Sequence, residues 1–242
     1  MKPYILISLR TKVETIGWNS GSQLLDSLNL YSGLLAPEFV SHNPDRVTGR
    51  LEGNSHAERL WAEKISIRVN GSLSEHFDSF AWKRKKSVKS TGSVSHTMRN
   101  VRNQIVPGSV CLNSIFSDKI DWYQLFKIWS EIFPPQLGML HYFTEPELGP
   151  HDLHKSFQVG SFKAALRPEV SNAGWAMFYG NEFAEKVDAD RIARAGFPIE
   201  KIGDGYLVRV TNDIQDIVAD FRMFAQRRTE LKSLFPEGFF LD

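Results

Sequence analysis

The chain has 242 residues, of which 42% are hydrophobic and 24% charged, and a formal net charge of +1. It is long enough for one large domain or two small ones with a substantial core. The composition is that of a globular protein and argues against disorder, and near-neutrality means that the whole-molecule field favours neither nucleic acid nor an acidic substrate. The single cysteine, Cys111, excludes an internal disulfide and argues against a structural zinc site.

Tyr4 to Arg10 is rich in β-formers and predicts a strand near the centre of a sheet. The N-terminus is too short and strand-like for a signal peptide. No apolar run approaches the roughly 20 residues that cross a bilayer. A cytoplasmic protein without a membrane segment is expected. Leu24, Leu25, Leu28, Tyr31, Leu34 and Leu35 recur at helical spacing from about Gly21, and Pro37 closes the run. Residues 41–56, dense in Asn, Gly, Pro and Ser, predict a loop, and His56 to Ile67 a short helix. Phe80 to Val101 predicts a hairpin with Thr91-Gly92 near its turn, and Val110 to Phe116 a further strand in which Cys111 is a small buried hydrophobe.

Asp121 and Gln124 have the spacing of a capping box. Behind them Trp122, Leu125, Phe126, Trp129, Ile132 and Phe133 form one apolar stripe that Pro134-Pro135 ends. Leu137 to Thr144 predicts a strand, and Glu145 to His154 a loop. Trp175 to Tyr179 is the next predicted strand. Asn181 is placed to cap a helix holding Phe183 and Val187, and Asp188 a second helix that ends at Gly196. Phe197 to Ile202 and Tyr206 to Val210 predict a hairpin around Gly203-Asp204-Gly205. A last helix is expected from Asn212, acidic at its start and basic at its end, with a stripe from Ile214 to Leu234.

Hairpins separate the strands as often as helices do. The expected class is α+β, with a mixed, mainly antiparallel sheet and long amphipathic helices packed against it. One domain over residues 1–242 is expected. Within it a strand runs into a long helix twice, at Val110 to Phe133 and Tyr206 to Leu234. That pattern fits an internal duplication with halves near 1–150 and 151–242, or simply the common way to cover a sheet.

Residues with chemical potential are few. His151-x-x-His154 has metal-ligand spacing, but it lacks a nearby third ligand and the HExxH helix, and reads as a solvated loop. His96 and His141 lie in strand patterns and read as structural. Glu230-x-Lys232 has the spacing of a restriction-type nuclease pair, but on a helix rather than a strand. No GxSxG, P-loop, GxGxxG or CxxC pattern occurs. Catalysis, a cofactor and a metal are therefore not expected.

Charge is distributed unevenly. Lys83, Arg84, Lys85, Lys86, Lys89, Arg99 and Arg102 occur with no acidic residue among them. This run reads either as a nucleic-acid patch with Trp82 for stacking or as an edge hairpin guarded by lysines. From Glu182 to Asp220 nine acidic residues face five basic ones, a local net of −4. Several serve as caps, and the remainder could form an acidic face for a basic partner.

Gly174-Trp175-Ala-Met-Phe-Tyr-Gly180, Gly196-Phe197, Gly203-Asp204-Gly205 and Thr211-Asn-Asp213 together resemble the Immunity protein 52 family. The resemblance implies a bacterial, cytoplasmic, non-enzymatic antitoxin to a polymorphic toxin or type VI secretion effector. Such a protein neutralises, by stoichiometric binding, a toxin that is often a restriction-endonuclease-like DNase. Trp175, Gly180, Gly205 and Asp213 carry over as fold-defining positions. The near-neutral charge departs from the strongly acidic inhibitors that mimic nucleic acid. A local acidic face, or binding away from the toxin's active site, is expected instead. The first candidates for partner binding are Glu182, Glu185, Asp188 and Asp190, with Trp18 and residues 41–56 behind them. The alternative is a nucleic-acid-binding module using the basic hairpin 83–102.

Overall fold

The computed structural model describes residues 2–69, 72–100, 102–146, 170 and 172–240. Along the chain its strands begin with β1 (Tyr4–Thr11), β2 (Phe39–Ser41), β3 (Gly49–Arg50), β4 (Lys64–Val69) and β5 (Ser72–Phe77). Next come β6 (Phe80–Arg84), β7 (Ser90–Ser95), β8 (Met98–Arg99), β9 (Ile105–Val106), β10 (Gly108–Ser114) and β11 (Pro135–Phe143). The last are β12 (Ala176–Tyr179), β13 (Ile199–Ile202) and β14 (Gly205–Arg209). The helices are α1 (Trp18–Gly33), α2 (Asn54–Trp61), α3 (Trp122–Ile132), α4 (Ala189–Arg194), α5 (Asp216–Ala219) and α6 (Phe221–Lys232), with a 3-10 helix at Asn181–Lys186.

A ten-stranded sheet has the order β13-β14-β12-β11-β1-β10-β7-β6-β2-β3. Each of its ladders is antiparallel. The protein is thus α+β with a large antiparallel sheet, as the sequence predicts. β1 is central, paired with β10 on one side and β11 on the other. Its alternation explains this place: Ile5, Ile7 and Leu9 are fully buried on one face, while Tyr4, Leu6 and Ser8 are half-buried on the other. β12, β13 and β14 extend the same sheet beyond β11. The two flanks are connected differently, since β10, β7 and β6 run outward against chain order whereas β12, β14 and β13 do not.

On the Ile5 face the core is a seam of aromatic rings. Trp61 of α2 stands edge-on to Trp18, lies 5.3 Å from Phe80, and donates its indole N–H to the Thr15 carbonyl at 3.0 Å. Phe80 leads to Trp82, and Trp82 meets Trp129 of α3 edge-on at 6.1 Å. Trp129 in turn donates to Ser27 Oγ in α1 at 2.8 Å, which joins the two long helices of this face. The opposite face is covered differently. Over β11 and β12 lie Phe224 of α6 and the C-terminal Phe235 and Phe239, packed on His141 and Tyr179. β11 is buried on both faces and therefore reads as a nearly continuous apolar run.

Local signals hold where a cap decides them. Asp121 accepts from Gln124 N, Asp188 from Arg191 N, and Gly196 ends α4 at φ +78°. Other expectations require correction. Within 41–56 the chain forms the end of β2, then β3, and α2 starts at Asn54, so that segment is only partly loop. The helix expected over His56 to Ile67 stops at Trp61, where the chain enters β4. Asn181 caps nothing: it sits at φ +46° at the start of a 3-10 helix whose N-cap is Gly180. The expected last helix is two, because Asp220 leaves helical geometry (φ −149°) and caps α6 by accepting from Met223 N. At the β13–β14 turn the positive φ belongs to Gly203, while Gly205 lies in the strand against Phe178.

Gly92 is the most instructive difference. It lies within β7, opposite Trp82, and not at the turn. A Cβ there would fall 2.1 Å from the Trp82 ring and 2.6 Å from the Cys111 carbonyl. The glycine is required by the indole, so Gly92→Ala is expected to destabilise the protein by about 1–3 kcal/mol. A urea midpoint for Gly92→Ala equal to that of wild type would refute this account.

Candidate functional site

The four acidic residues proposed for partner binding differ in their surroundings. Glu182 is paired with Lys12 at 2.9 Å and accepts from Gln136 Nε2, two residues brought from β1's end and β11. Burial opposes its ionisation, and the bonds from Lys12 and Gln136 outweigh that, so the carboxyl is held below its usual range. Asp188 is the N-cap of α4. Glu185 and Asp190 are exposed, but Lys186, Arg191 and Arg194 are exposed alongside them. The segment therefore presents a mixed-charge surface around two available carboxylates. Trp18 is half-buried against Trp61 and is a core residue first.

The basic run divides into two groups. Lys83 to Lys89 surround the β6–β7 turn, whereas Arg99 and Arg102 lie at the small β8–β9 sheet. β7 separates them by roughly 20 Å of strand. Trp82 is fully buried, with no hydrogen-bond partner for its Nε1 among the described residues, so it offers no stacking surface. Its burial has a second effect. Side chains alternate along β6, so with Phe80 and Trp82 facing the core Lys83 points to the opposite side of the sheet.

There, Lys83, Lys85 and Lys89 border a groove of about 950 Å3 that Lys2 closes from the start of β1. Glu38 holds the turn: it accepts from the amides of Lys85 at 2.7 Å and Lys86 at 3.0 Å and pairs with the Lys86 ammonium. Those amide bonds keep its carboxyl below the usual range. Lys85 lies over the Phe39 ring at 4.5 Å.

The remaining reactive types are tied into the fold. His96 bonds Thr15 and the Trp61 carbonyl, and burial lowers its pKa. His141 Nδ1 accepts from Trp175 N at 2.9 Å. The Cys111 thiol lies 3.6 Å from Ser8, and burial pushes its pKa up, away from the reactive thiolate. Glu230 is paired with Arg227 at 2.8 Å rather than poised beside Lys232. His151 and His154 lie outside the described residues. Among the described residues no three His, Cys, Asp or Glu side chains converge as a metal group, and no helix is long and apolar enough to cross a membrane.

One polar cluster escaped the sequence reading. Glu200 of β13 accepts from the Tyr123 hydroxyl and from Lys127 Nζ at 2.6 Å, both on α3, while the Arg209 guanidinium lies 4.3 Å over the Tyr123 ring. It clamps the β13–β14 hairpin to α3. Burial, then the bond to Glu200, pushes the Tyr123 pKa up. At Glu200 burial opposes ionisation, and the bonds from Lys127 and Tyr123 outweigh it. The only sequence signal was helical spacing, which sets Tyr123 and Lys127 on one face of α3.

No protein-family model matches the chain, and no curated protein matches it in sequence. The fold is similar to that of the solved Pseudomonas aeruginosa T6SS protein PA0821. The TM-score is 0.50 with 12% identical residues, and the match covers 97% of this chain and 84% of the other. At that identity the likeness is one of fold.

The Glu200 clamp predicts a pH dependence. Its carboxyl binds protons more weakly folded than unfolded, so its contribution is present above the unfolded value near 4.3 and lost as pH falls through the lower folded value. The stability gap between wild type and Glu200→Gln, from urea unfolding at pH 3 to 7, is expected to shrink below about pH 4.3. A constant gap would show that the ionised carboxylate of Glu200 is not what stabilises the clamp.

Proposed function

We propose that this chain is a type VI secretion immunity protein. It binds a cognate toxin, with a nuclease effector the first candidate, and neutralises it stoichiometrically in the cytoplasm, without catalysis. The observation that carries this reading is the fold likeness, over 97% of the chain, to a protein described as a T6SS protein. Three of the residues that resemble Immunity protein 52 support it, because they fix the local structure of the C-terminal region. Trp175 donates its indole N–H to Thr211 at 3.0 Å, and Asp213 accepts from Gln215 N at 2.9 Å to start the helical end. A Cβ at Gly180 would lie 2.1 Å from the Pro135 carbonyl. Such bracing suits a preformed surface, and a standard interface needs only about 800 Å2 from each partner.

Co-expression with the product of the neighbouring gene is expected to rescue a host from that product's toxicity, and the two proteins to co-purify in a fixed ratio. A harmless neighbour, or one that does not bind, would sink the reading.

A further inference from the structure

The groove beside the β6–β7 turn has a volume of about 950 Å3, more than a single phosphate or carboxylate fills. Lys2, Lys83, Lys85 and Lys89 line it, and among the described residues no carboxylate does. Its apolar part is Tyr4, Leu6 and Ile115, the last 41% exposed. Resting on the toxin-binding reading, we infer that this groove docks an acidic segment of the toxin. The segment's carboxylates meet the lysines and its apolar side chains meet Leu6 and Ile115.

Three observations select this occupant. Charge complementarity favours an anion, since the charged side chains that line the wall among the described residues are all cationic. Apolar contacts between the lysines favour a polypeptide over a phosphodiester chain. Trp82, the indole of this hairpin that a single strand would stack on, is buried in the core. β1, β10 and β7 are interior strands, so recognition runs through side chains and not by adding a strand to an edge. The acidic candidates fit less well, because Glu182 is held by Lys12, Asp188 caps α4, and Glu185 and Asp190 stand among the exposed Lys186, Arg191 and Arg194.

The test uses the full chain and the purified product of the neighbouring toxin gene, with binding followed by biolayer interferometry. Lys83→Glu combined with Lys89→Glu is expected to weaken binding about tenfold or more, mainly through association, with thermal unfolding unchanged. Glu185→Lys with Asp190→Lys is expected to leave binding within about twofold. Should the lysine variant fold poorly, Ile115→Lys gives the second reading of the groove and is expected to weaken binding too. Binding that survives the groove substitutions and disappears in the acidic-residue variant overturns the groove while leaving the toxin-binding reading intact. No binding by wild type overturns both. Retention of a single-stranded oligonucleotide that the lysine variant loses, with toxin binding unchanged, assigns the groove to nucleic acid and overturns the proposal.

Discussion

The packing of Trp82 against Gly92 is the constraint on which both faces of the sheet depend. The indole is buried without a hydrogen-bond partner among the described residues, so its place rests on shape and apolar contact. It reaches Trp129 only because its neighbour across the ladder has no side chain. Through Trp129 and Ser27 the same contact fixes α3 against α1. Because alternate residues of a strand face opposite ways, the ring also decides where Lys83 stands. Core packing and surface charge are thus set by one register.

The C-terminal region works by a different principle. There the sheet is covered by helices and aromatics on one face and clamped to α3 by polar groups on the other. The indole of Trp175, the Thr211 hydroxyl and the Asp213 turn form a connected set of hydrogen bonds. Tyr123, Lys127, Glu200 and Arg209 form another. Each buried donor or acceptor in such a set is costly to leave unpaired, so the set permits one arrangement of the hairpin and little else.

What was legible in the sequence was local. The caps at Asp121 and Asp188, the glycine at the end of α4 and the central strand Tyr4–Thr11 follow from periodicity and from short-range hydrogen bonds. The break at Asp220 was not legible, because the apolar stripe continues across it. Gly92 was read as a turn residue because its reason for being glycine is a ring on another strand. The candidate site was legible only as charge. The partners that hold Glu182 are Lys12 and Gln136, 170 and 46 residues away in sequence. The groove assembles lysines from two separate segments, and only the sheet order brings Lys2 to the hairpin.

The central position of β1 has a consequence for how the chain reaches this state. Its ladder partners come late: Ser8 lies beside Cys111, 103 residues on, and beside Met139 on the other side. A nascent chain that has already exposed Ile5, Ile7 and Leu9 has no partner for them until β10 and β11 leave the ribosome. Contacts so distant in sequence make for slow folding and a long-lived apolar strand open to wrong pairing. Fast availability of the folded protein therefore depends on the rate at which β10 and β11 close around a strand made long before them.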